Sequence, residues 1–112
     1  MDTDERRTQI ADDLRKLGDA IKLNDEIPVH DFGPIEFLYC VIEGDHDERE
    51  ARFNAHADDM QQIATEMGLG FAYTSSTDKA GDEHHRATLT MPNKQVAYRV
   101  SWIERNGGTE NG

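Results

Sequence analysis

The chain has 112 residues, one cysteine and a net charge of -11. That length fits one domain with one hydrophobic core, the lone Cys40 excludes an internal disulfide framework, and no apolar run reaches membrane-spanning length. Such an excess of acid disfavours non-specific binding to nucleic acid or to an anionic membrane and favours a basic partner, or simply solubility. The charge is also lopsided: residues 1–66 hold 18 acidic against 7 basic residues, whereas residues 67–112 hold five of each. The N-terminus carries no apolar segment of signal-peptide length, so the expected location is the cytoplasm. Residues 1–5 and 106–112 are polar, charged or glycine-rich and are expected to be disordered flanks of a single α/β domain over 6–105.

The first predicted element is a helix from about Asp4 to Leu23. Ile10, Leu14, Leu17 and Ile21 recur at spacings of four, three and four, one face of a 3.6-residue period. Thr3 or Asp4 is placed to cap it, and Asn24-Asp25 and Pro28 end it. A connector follows to Pro34, with Ile27, Val29 and Phe32 as apolar anchors. Ile35 to Ile42 reads as a strand that is apolar on both faces, the pattern of a central strand or of one whose second face meets another subunit.

Asp45 with Glu48, or Asp47 with Glu50, has capping-box spacing and opens a second helix. Phe53, Ala57, Met60, Ile63, Ala64 and Met67 form its stripe, and Gly68 suits the C-cap. Leu69 to Ser75 alternates as a strand. His84 to Met91 and Lys94 to Ile103 then read as a hairpin around Pro92-Asn93. Proline suits the second position of a type I turn, so a loop over Met91–Lys94 is expected. That loop pairs Leu89 with Val96, Ala87 with Tyr98 and Arg86 with Arg99. Leu89, Ala87, Tyr98, Val100 and Trp102 then share one face, and Arg86, Thr88, Thr90, Ala97, Arg99 and Ser101 share the other.

The predicted order is therefore α-β-α-β-β-β. The first two strands are parallel through a helical crossover, and the last three form an antiparallel meander. The fold class is a two-layer α/β (α+β) sandwich, with two helices packed on one face of a four-stranded mixed sheet.

Candidate chemistry is sparse. His30-Asp31, Asp45-His46-Asp47, His56 and Glu83-His84-His85 set imidazoles beside acids. The metal candidates are His46, His84 and His85, but no two-histidine helical pair, thiolate cluster or calcium loop is present. Adjacent His84 and His85 point to opposite faces of a strand. Asp12-Asp13 and Asp58-Asp59 lie on helices, where neighbours diverge by about 100° and do not converge on one atom. Cys40 lies within an apolar strand, which raises a thiol pKa and hides the sulfur. Gly68-Leu69-Gly70 precedes a strand rather than opening a helix, so the anion-binding geometry of a phosphate loop is missing. No catalytic residue and no cofactor is assigned.

The sheet face left open by the helices gathers Leu38, Cys40, Thr88, Arg86 and Arg99. Two arginines facing each other are unfavourable unless an acid joins them, and Glu36 has the parity to do so. This face is a candidate surface for self-association as a homodimer. Asp12, Asp58 and Asp59 mark a second candidate surface, an acidic helical layer suited to a basic partner.

Ala11-Asp12-Asp13-Leu14-Arg15-Lys16-Leu17-Gly18-Asp19-Ala20-Ile21, then Ile27-Pro28-Val29, resembles the opening of a group of small proteins encoded by actinobacterial phages and mobile elements. The resemblance extends through Met67-Gly68-Leu69 and Tyr98-Arg99-Val100-Ser101-Trp102-Ile103. It implies no activity and carries over no site residues. The expected role is a non-enzymatic interaction protein, a phage or mobile-element accessory factor acting on a host or phage protein. The alternatives are a DNA mimic that blocks a nucleic-acid-binding protein, and a metal-dependent hydrolase using the histidines.

Overall fold

The computed structural model describes residues 2–29 and 33–105. His30, Asp31 and Phe32 of the connector, and the tail over 106–112, lie outside the described residues. The chain divides into two compact units, Met1–Asp31 and Phe32–Gly112, where composition pointed to one domain over 6–105.

The first unit contains helix α1 (Thr3–Leu23). The helix begins earlier than periodicity suggested, because Asp2 rather than Thr3 or Asp4 is the cap. Its carboxylate accepts the Glu5 N–H at 2.7 Å, and Glu5 reaches back to the Asp2 N–H. Residues 3–5, expected to be disordered, therefore form the first helical turn. That reciprocal pair satisfies two backbone donors that a helix start leaves unpaired. Asn24 closes the helix and donates its side-chain amide to Ala20 O at 2.9 Å. Ile10, Leu14 and Leu17 line one face of the helix, as predicted.

The second unit is a four-stranded sheet with one helix packed on it. Its elements are β1 (Ile35–Cys40), α2 (His46–Met67), β2 (Gly70–Thr77), β3 (Glu83–Thr90) and β4 (Val96–Glu104). With α1, the order is α-β-α-β-β-β, as predicted. The strands lie in the order β1-β4-β3-β2. β4 runs antiparallel to β3 and parallel to β1, and β3 runs antiparallel to β2. The last three strands thus form the expected meander. β1 and β2 share a direction but occupy opposite edges, with α2 packed over β2, β3 and β4. The two-sided apolar pattern of β1 therefore belongs to an edge strand and not to a central one.

Asp45 caps α2 with the predicted box. Its carboxylate takes the Glu48 N–H at 2.9 Å, and Glu48 takes the Asp45 N–H at 2.8 Å. Gly68 ends the helix at φ 71°, a left-handed conformation that glycine adopts without a Cβ penalty. Phe53, Ala57, Met60 and Ala64 are buried, at spacings of four, three and four. Phe53 is the anchor, fully buried against Val41, Ala87, Val100 and Trp102. Its ring meets Tyr73 edge-on at 5.7 Å. Ile63 and Met67, counted in the predicted stripe, remain exposed. The helix-side face thins out toward β1, where Ile35, Tyr39 and Tyr98 are also exposed.

The β3–β4 register differs from the predicted one by two residues. Leu89 stands opposite Tyr98, Ala87 opposite Val100 and Arg86 opposite Ser101. The turn still starts at Met91, whose carbonyl accepts the Lys94 N–H at 2.8 Å. Lys94 then adopts φ 64°, and the Met91 N–H reaches Val96 O at 2.9 Å. The loop is thus Pro92–Gln95. A shift of two preserves side-chain parity, so every side chain of the hairpin keeps its predicted face, including Leu89 and Trp102 together.

Candidate functional site

On the open face the shifted register separates the two arginines predicted to face each other. Thr88, not Arg86, stands opposite Arg99. Arg99 donates to Glu36 across the β1–β4 pair at 2.8 Å and to Thr88 Oγ1 at 3.4 Å. Glu36 thus supplies the acid that parity allowed. Arg86 lies further along β3 and donates to Ser76 Oγ at 3.2 Å. Leu38, 62 % exposed, and Ile42 project from the β1 edge on this side. Cys40 is exposed rather than hidden, and accepts a bond from Ser101 Oγ at 3.6 Å.

The acidic layer is unevenly built. α1 carries five acidic and five basic residues, and Asp12 is paired with Arg15 at 2.7 Å. α2 carries six acidic residues against two basic ones. Asp58 and Asp59 sit on its exposed side, and Asp58 lines an open groove of ≈ 520 Å³ with Asn54, Gln61, Phe71 and Tyr73.

The histidines separate into distinct settings. His56 packs edge-on against Tyr39 at 5.7 Å. His84 points to the open face, where its Nε2 meets Asp78 Oδ2 at 2.9 Å. That contact, ahead of the backbone N–H bonds from Asp82 and Ala80, holds the Asp78 carboxyl below the usual range. His85, one residue on, points to the helix side, as adjacent strand residues must.

There it meets His46 through a residue the sequence reading passed over, Glu104. Glu104 Oε2 takes His46 Nε2 at 2.8 Å and Glu104 Oε1 takes His85 Nε2 at 3.1 Å. His46 Nδ1 lies 3.2 Å from Asp47 Oδ1, and His85 Nδ1 lies 3.1 Å from Tyr73 Oη. Asp47, His46, Glu104, His85 and Tyr73 therefore form one continuous polar chain. Trp102 braces it, stacked on His85 with ring centres 4.9 Å apart and edge-on to His46 at 5.5 Å. Side-chain exposure is 13 % for His85 and 19 % for Glu104, against 50 % for His46.

Charge and hydrogen bonding follow this arrangement. The bond to Glu104, then the one to Asp47, raises the His46 pKa above 6.5. Bonds from His46, then His85, lower the Glu104 carboxyl below 4.5 against the opposing effect of burial. Two of the three metal candidates, His46 and His85, thus join one cluster, and His84 does not. The signal for Glu104 was the parity of β4: it lies two residues beyond Trp102, on the same face, opposite Glu83.

No protein-family model, no curated protein and no solved structure matches this chain. No helix among the described residues is long and apolar enough to cross a membrane.

Proposed function

We propose that the chain is a non-enzymatic interaction module that grips another protein through the apolar stripe of α1. The observation that carries this reading is that α1, capped at its start and 21 residues long, sets Ile10, Leu14 and Leu17 in one apolar stripe at helical spacing. A helix of that length gains most of its stability from packing its apolar face, and docking into a groove of a partner supplies that packing. Ile10, Leu14 and Leu17, at helical spacing, are the anchors. The acidic excess on α2 favours a partner with a basic surface. The resemblance to small proteins of actinobacterial phages and mobile elements supports an accessory role in the host cytoplasm. The open face around Leu38, Thr88, Arg86 and Arg99 is the surface for a second copy.

The test pairs Leu14→Asp and Leu17→Asp in one variant. Wild-type protein is expected to co-sediment with a defined partner, and the double variant to release it while the thermal melting of the second unit is unchanged. Equal retention of that partner by both proteins overturns the role of α1.

A further inference from the structure

The cluster around Glu104 contains an electrostatic conflict. Glu83 and Glu104 are cross-strand partners on the helix-side face, an unfavourable placement for two carboxylates. Among the described residues their ion-pair partners are histidines only, with His85 Nε2 lying 3.1 Å from Glu104 Oε1 and 3.9 Å from Glu83 Oε1. No lysine or arginine among the described residues ion-pairs with either carboxylate, so no permanent cation offsets the pair.

The geometry points to a divalent transition-metal site of the zinc class, held by His85 Nε2, Glu104 and Glu83 at the open end of the β3–β4 hairpin. Their donor atoms all lie within 4.8 Å of one another. Two metal bonds of ~2.0–2.1 Å at a tetrahedral angle set their donors roughly 3.3 Å apart. The observed separations of 3.1 and 3.9 Å straddle that spacing, so small side-chain adjustments admit an ion. Nitrogen with two carboxylates suits zinc, cobalt or manganese, and a water completes the shell.

The surroundings are those of a supported ligand set. A ligating histidine commonly engages a polar partner through its other ring nitrogen, and Tyr73 Oη stands 3.1 Å from His85 Nδ1. Without metal, His85 Nε2–H donates to Glu104 and Tyr73 O–H donates to Nδ1. With metal, His85 takes the other tautomer: Nε2 offers its lone pair to the ion and Nδ1–H donates to Tyr73 Oη. His46 holds Glu104 from its far oxygen, and Trp102 fixes the plane of the His85 ring. Glu83 is less covered than the other two ligands and leaves an entry path.

Trp102, the chain's single tryptophan, stacks on the proposed ligand and reports on it directly. Chelator-treated full-length protein titrated with Co²⁺ should show saturable one-to-one quenching of Trp102 fluorescence, reversed by excess chelator. Glu83→Gln, at a more exposed position, should weaken Co²⁺ binding by about tenfold or more, and His85→Gln more still. His84→Gln, on the opposite face, should bind as wild type does. Absence of saturable quenching overturns the site. So does quenching unchanged in Glu83→Gln, or quenching lost on Glu50→Gln, which would place the ion at the exposed His46, Asp47 and Glu50 instead.

Discussion

Glu83 and Glu104 stand directly opposite each other on β3 and β4, and the only side chains that ion-pair with either among the described residues are His46 and His85. In metal-free protein this pair opposes folding. Glu83→Gln should therefore raise the urea midpoint, through a gain of about 0.2–1 kcal/mol in unfolding free energy. A lower midpoint would show that Glu83 is held by attraction and not tolerated against repulsion.

The His46–Glu104 contact sets a pH optimum with two flanks. His46 is raised in the fold, so its contribution is complete below its ordinary 6.5 and fades as pH climbs through the folded value. Glu104 is lowered, so its contribution is complete above its ordinary 4.5 and fades as pH falls through the folded value. In chelator, the melting temperature should be highest between those ordinary values and decline on both sides. His46→Gln should flatten the alkaline decline, and an unchanged profile would dismiss the contact.

Phe53 is fully buried at the centre of the α2–sheet contact. Phe53→Ala should cost about 3–5 kcal/mol through lost transfer energy and an unfilled cavity. Urea unfolding followed by Trp102 fluorescence measures it.

Gly68 holds φ 71° where α2 ends, and its N–H bonds Ala64 O. Open space surrounds the site, so a Cβ at this position meets backbone strain but no neighbour. Gly68→Ala should cost about 1–2 kcal/mol, while Gly68→Asn, which tolerates the left-handed region, should cost less. The order of their melting temperatures decides the point.

The helices, the strand order along the chain and the face of nearly every sheet residue were legible because period and parity are local properties. The register was not. Lys94, a residue with a Cβ, takes a left-handed conformation that nothing in Met91-Pro92-Asn93-Lys94 announces, and this moves the loop by one residue and the pairing by two. The facing arginines were lost with it. The edge position of β1 was not legible either: an apolar pattern on both faces fits a central strand or one whose second face meets another subunit, and here Leu38 and Ile42 are exposed at an edge. His46 and Glu104 lie far apart in sequence, so their meeting depends on how α2 crosses the sheet, which no short window of residues encodes.

Among the described residues, β1 has β4 as its only strand neighbour. On the ribosome, β1 emerges before α2, β2 and β3 and consequently remains without its ladder until Val96–Ser101 has been made. A nascent chain arrested before that point exposes Ile35, Leu38 and Tyr39 along a raw margin, the kind of surface that recruits chaperones or other nascent chains. Completion of the β1 ladder is thus tied to β4, and a frameshift before Val96 would undo this earlier strand as well.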